Sequence, residues 1–226
     1  MGREGDWGEM NVSSIGTTVH NMQELYLIGS IPSRRLDQVA NTLTHLLGDP
    51  VPVLDFCMVF KPKDVPLTLP SMPESWLRLS ADVKALDESD AEWSRKAQWK
   101  LRLEGASEPK RQNKCGIRPV NEAKFTDGPV LEFVQKMGYE FSHEYIVQGL
   151  EFTYDTCKVL MFQTLLPSQP HIIQPPFHPL NETWILQAKA IVLDATNQRE
   201  MMVQSQRLTS LQSLLSSVCD LRNERL

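Results

Sequence analysis

From Ala97 to Glu104 the chain alternates without a break. Ala97, Trp99, Leu101 and Leu103 fall on one side, and Gln98, Lys100, Arg102 and Glu104 on the other. A period of two sends the two sets to opposite faces of a strand, whereas a helical period would scatter both. Such a strand cannot stand alone, because its backbone edges and its apolar face both need neighbours. The rest of the sequence must therefore supply a sheet.

Gln23–Ile31 reads as a strand with Leu25 and Leu27 on one face and Tyr26 and Ile28 on the other. Pro32 fits the first position of a helix, where its missing N–H costs nothing. Leu36, Val39, Ala40, Leu43, Leu46 and Leu47 then recur at helical spacing, Gly48 stands at a left-handed C-cap and Pro50 blocks continuation. Further strands are expected at Val51–Phe60, Trp76–Ala81 and Cys115–Val120. Pro129 opens a short helix in which Val130, Phe133, Val134 and Met137 share a face, closed by Gly138. Strands at Tyr139–Gln148 and Leu150–Leu166 follow, divided near Gly149, with Asp155 at a turn or bulge. After a proline-rich loop come a strand at Thr183–Asp194 and a helix from about Asn197 to Arg222, striped by Met201, Leu208, Leu211, Leu215 and Val218. Mostly consecutive strands indicate antiparallel pairing, and about eight of them curl toward a barrel because closure protects the edges. The expected fold is α+β: an antiparallel barrel of about eight strands, flanked by two internal helices and a C-terminal helix.

The chain has 226 residues and a formal net charge of −5. A dedicated nucleic-acid binder would be strongly basic, so that class is disfavoured. The longest nearly apolar run, Val51 to Phe60, is too short to cross a bilayer. Residues 1–21 lack the layout of a secretory signal and read as a polar, disordered extension with Trp7 as their one large aromatic, ahead of a single domain over 22–226. Without export, the sequons at Asn11 and Asn181 are chance matches. Cys57, Cys115, Cys157 and Cys219 are too far apart for a C-x-x-C motif and read as reduced, partly buried thiols.

No phosphate loop, serine elbow or H-E-x-x-H occurs. His178 of Phe177-His-Pro179 reads as a loop histidine bonded to a carbonyl rather than as a metal ligand or proton shuttle. Barrels can house metal-dependent phosphohydrolases, which need carboxylates two apart on a strand so that both face the lumen. Glu-x-Glu is absent; Glu140 and Glu144 lie about 13 Å apart along a strand, too far to share one cation, and read as solvated. A tunnel enzyme acting on RNA or nucleotide triphosphates, with Lys100, Arg102 and Glu104 in its lumen, is the alternative reading. The eight Lys and Arg between Arg95 and Arg118 read as a solvated face or a docking surface, opposite the acidic loop Asp82–Glu92, and no cofactor is called for. Apolar residues at or beside two proline-rich loops, Leu67, Leu69, Ile172, Ile173, Phe177 and Trp184, are the candidate partner-binding residues.

Several segments together resemble subunit 18 of the Mediator complex, the RNA polymerase II coactivator, in its fungal form. They are Met22-Gln-Glu-Leu-Tyr-Leu-Ile-Gly-Ser-Ile-Pro-Ser-Arg-Arg35, Lys61-Pro-Lys-Asp-Val-Pro66, Ser75-Trp-Leu-Arg-Leu79 and Ser107-Glu-Pro-Lys-Arg111. Cys115-Gly-Ile-Arg-Pro-Val120, Met137-Gly-Tyr-Glu-Phe-Ser-His-Glu-Tyr145, Pro175-Pro-Phe-His-Pro179 and Cys219-Asp-Leu-Arg222 complete the set. The resemblance implies a nuclear, non-enzymatic subunit of the head module, with an open β-barrel similar to that of RNA 5′-triphosphatases. It further implies pairing with subunit 20, capture of a C-terminal helix of subunit 8, and a position near the polymerase. Members of that family typically start near the position of Met22, so residues 1–21 stand out as an addition.

Overall fold

The computed structural model describes residues 22–63, 76–85, 97–108, 114–125 and 128–223. Leu67 and Leu69, the extension 1–21 and most of the acidic loop lie outside them.

Nine strands and three helices are found among the described residues. The strands are β1 (Gln23–Pro32), β2 (Val51–Pro62), β3 (Trp76–Asp82), β4 (Trp99–Glu104), β5 (Gly116–Phe125), β6 (Tyr139–Tyr154), β7 (Cys157–Pro167), β8 (Phe177–Pro179) and β9 (Thr183–Val192). The helices are α1 (Leu36–Leu47), α2 (Val130–Lys136) and α3 (Gln198–Leu215). All pairings are antiparallel, in the order β6-β2-β3-β4-β5-β1-β9-β7-β8, and β6 also pairs with β7, so eight strands form a closed ring with β8 appended. Closure runs from Ile146 to Tyr154 of β6; the first half of that strand, Tyr139–Tyr145, pairs with β2 alone. The expected α+β barrel with its three helices is therefore the observed one, with the ring closed by the β6–β7 pairing where an open barrel is expected.

Three local expectations need correction. Pro32 ends β1 instead of opening α1, and a 3-10 turn, Ser33–Arg35, comes between them. Gly149 does not divide two strands: β6 runs through it, and the hairpin turn falls at Asp155–Thr156, where Asp155 takes a φ of 55°. The last helix stops at Leu215; Val218, Cys219 and Leu221 then fold back, buried, over β1, and Arg222 exchanges two backbone hydrogen bonds with Ile28.

The apolar cores lie on the outer faces of the ring. Val39 and Leu43 of α1 and Leu208, Leu211 and Leu215 of α3 cover Leu25, Leu27, Val159, Met161, Leu186 and Ala188. Val130 and Val134 of α2 cover Phe56, Met58, Leu77, Leu79, Trp99 and Ile146. All four cysteines are free and buried.

Candidate docking groove and charged lumen

With both cores outside, the opposite face of every strand turns inward, and it carries charge. Arg102 on β4 donates to Glu24 on β1 at 2.5 Å, reaching across the intervening β5, and to Glu104 at 2.5 Å and Glu122. Arg118 on β5 donates to Glu24 at 2.6 and 2.8 Å and lies 2.6 Å from Glu104; Arg78 on β3 donates to Glu104 at 3.0 Å and to the Tyr145 hydroxyl across β2 at 3.4 Å. Contacts that skip a strand span about 9.6 Å of sheet, and here they run through the interior of the closed ring. Glu24 is 0% exposed and Arg102 6%.

Burial alone would raise the pKa of Glu24, but Arg102 and Arg118 outweigh it and hold the carboxyl below its ordinary value. Glu104 meets the same opposition, and its three arginines lower it to about 2. Burial pushes Lys189 down against the pull of Glu24, and pushes Asp55 and the Tyr145 hydroxyl up. Lys100, Arg102 and Glu104 do face the lumen. Arg102 and Arg118 are accordingly not a solvated face, and among the described residues their partners are lumen carboxylates. The available signal is opposite charges two apart on one strand, together with a lone Glu24 at the head of the apolar run Leu25–Ile28.

The outer surface carries a groove of about 410 Å³. Its floor is Pro52, Val53 and Leu54 of β2 with Gln148, Gly149 and Leu150 of β6; one bank is the first turn of α1, and the other is the end of β3 with Lys84 in the turn that follows. Trp184 and Met161 close one end. Gly149 is required here because a Cβ would lie 2.2 Å from the Met161 carbonyl oxygen, where β6 and β7 seal the ring.

Of the four candidate docking residues that are described, only Trp184 lines this groove. Ile173 is 4% exposed and packs into the core under α2, with Phe177 against the same core, while Ile172 stays exposed beside them. The loop that carries them crosses the unpaired edge of β6. There the backbone N–H of His171 donates to Glu144 Oε1 at 2.5 Å, and its ring Nδ1 lies 2.7 Å from Oε2, too bent for a hydrogen bond. The Glu144 side chain is only 7% exposed, so it is not a solvated position; Glu140, paired with Lys61, is. His178 contacts the Ser168 hydroxyl at 3.3 Å in place of a carbonyl.

The Med18 protein family profile matches residues 23–223. Mediator of RNA polymerase II transcription subunit 18 of Schizosaccharomyces pombe is 55% identical over 207 residues, covering 91% of this chain and all of that protein. The Aspergillus oryzae subunit 18 is 29% identical over 131 residues, 53% of this chain and 48% of its own length. A chain in the structure of the S. pombe Mediator head module superposes with a TM-score of 0.81 at 53% identity, covering 90% of this chain and all of that one. The PH1819 protein of Pyrococcus horikoshii shares the fold, at TM-score 0.55 and 9% identity over 89% of this chain and 94% of its own. The profile spans nearly all the described elements and the identity runs the full length of the S. pombe protein: the chain belongs to the Med18 family.

Proposed function

We propose that this chain is a non-enzymatic structural subunit of the Mediator head module, acting in the nucleus in RNA polymerase II transcription. The observation that carries this is the 55% identity over the whole S. pombe subunit 18, joined to the TM-score of 0.81 against a chain of the S. pombe head module. Identity at that level over a full length preserves a fold and most of its surface. Residues 22–226 act as one domain, and residues 1–21 are an addition to it.

The finer reading is that the barrel pairs with subunit 20 and seats a C-terminal helix of subunit 8 in the groove between α1 and the end of β3. The groove supports this by its shape: an apolar trough with helical and strand banks accepts an amphipathic helix by its apolar stripe. Barrel-to-barrel pairing needs a larger and more apolar contact than a transient encounter. The triphosphatase-like alternative is not favoured. Lys100, Arg102 and Glu104 share the lumen as that reading requires, but Glu24, Glu104 and Glu122 already neutralise the lumen arginines, and Glu104 is committed to three of them at once.

Co-expression with subunits 20 and 8 of the same organism, followed by size-exclusion chromatography, tests the assembly. A stable one-to-one-to-one complex is expected. A monomer that ignores both partners would overturn it. Pro52→Asp, on the groove floor, exposed and outside both cores, should release subunit 8 while retaining subunit 20 and the melting temperature; unfolding or loss of both partners would remove the groove from the account.

A further inference from the structure

On the side away from β2, β6 is paired for only part of its length. β7 accompanies it from Ile146 to Tyr154 and then turns off to pair with β8, so Tyr139–Tyr145 has no strand on that side. Seven extended residues amount to about 23 Å of backbone edge, a template onto which another strand can add. Phe141, 43% exposed at its centre, favours such pairing. Two features oppose it. Val59 pairs with His143 and Phe60 with Phe141, which makes Ser142 the extra residue of a bulge that bends the edge. The second is the segment between β7 and β8, which crosses the edge and carries Pro170, Pro175 and Pro176, residues unable to donate to a ladder. Side chains pin it there. Glu144 accepts the His171 N–H, the His171 ring lies 5.3 Å from that of Phe141, and Ile173 is buried under α2. His171 takes a left-handed φ of 63°, which costs a residue with a side chain energy that these contacts offset.

We propose that this segment is an edge guard: in place it keeps the β6 edge from pairing with that of a second copy of the chain, and its release makes Tyr139–Tyr145 a self-association site. A second copy is the occupant because two identical edges, set antiparallel about a two-fold axis, complement each other without any further partner. The backbone supplies the bonds, and Phe141 of each copy supplies apolar surface at the seam. A proline-rich guard covers the edge without offering a new one, since its own backbone lacks the donors of a regular strand.

The test removes both pins from the full chain, as Glu144→Ala with Ile173→Ala, and works at a temperature where thermal melts show parent and variant folded. Hydrogen exchange over residues 168–174 reports release of the guard, and light scattering reports mass as concentration rises through the micromolar range. The parent should stay at the mass of one chain. In the variant, exchange over 168–174 should speed at least about tenfold and the mass should approach two chains. Adding Phe141→Lys, which sets a cation in the middle of each edge, should return it to one. A freed guard with the mass still at one chain overturns the proposal. A guard that stays closed in the double variant overturns it as well, because Glu144 and Ile173 are then not its pins. So does a parent that dimerises with its guard closed, or an association that survives Phe141→Lys, which would arise elsewhere in the molecule.

Discussion

Glu24 illustrates how burial changes the worth of a charge at the scale of one residue. Its carboxylate is fully enclosed and accepts from two arginines, so removing it leaves Arg102 and Arg118 to share Glu104 and the half-exposed Glu122 in an interior that solvates the surplus charge poorly. Breaking one side of a buried pair costs about 3–5 kcal/mol, whereas an exposed pair contributes at most about 1 kcal/mol. Urea unfolding of Glu24→Ala should show a loss in the first range. Glu140→Ala, which removes only the solvent-exposed contact with Lys61, should stay within about 0.5 kcal/mol of the parent. Equal losses would mean that the lumen is wet. Gly149 makes the complementary point about backbone. A methyl group there meets the β7 main chain, which cannot swing aside like a side chain, so Gly149→Ala should cost about 1–3 kcal/mol. A thermal melt matching the parent would show that β6 and β7 can part at that position.

At the scale of elements, the loop between β7 and β8 is a strap, held to β6 by Glu144 and to the core under α2 by Ile173. Truncating a buried isoleucine removes transfer energy and leaves a cavity, so Ile173→Ala should destabilise by about 2–4 kcal/mol, and Ile172→Ala by no more than about 0.5 kcal/mol. Denaturation of the two variants distinguishes anchor from neighbour, and a reversed order would move the anchor. From sequence the two isoleucines look alike, because a proline-rich loop has no period to assign an inside. Where a period exists, it served well: β1, β2, β3 and α1 lie within a few residues of expectation, and the stripe Leu208, Leu211 and Leu215 is fully buried. In α2 the buried face is narrower than the period predicts. Val130 and Val134 are buried, but Phe133 and Met137, one step round the helix, remain nearly half exposed. The groove was legible only through Trp184, since its floor joins strands far apart in the chain and alternation carries no information about which strands become neighbours.

At the scale of the whole molecule, the barrel is inverted relative to the usual expectation for the polar half of an amphipathic strand. From the sequence only an enzyme hypothesis places Lys100, Arg102 and Glu104 in the lumen, yet the lumen charges belong to a scaffold. Contacts among Glu24, Arg78, Arg102, Glu104, Arg118 and Tyr145 tie together five of the eight ring strands, β1, β3, β4, β5 and β6. Such a network makes the closed ring sensitive to acid. Glu24 and Glu104 titrate lower in the folded state than in the unfolded chain, so their stabilisation is complete above the unfolded carboxylate pKa of about 4.5 and is lost as pH falls toward the folded value, about 2 for Glu104. For Glu104 that span corresponds to roughly 3 kcal/mol. Asp55, raised by burial, acts in the opposite sense and offsets part of the loss. Urea unfolding from pH 7 to 2.5 should therefore be nearly flat down to about pH 5 and then fall steeply. Glu104→Gln should start well below the parent at pH 7, because three arginines have lost their anion, but decline less, so that the two curves converge in acid. Curves that fall in parallel would place the acid-labile charges outside the lumen and remove the ion network as the element that holds the ring shut.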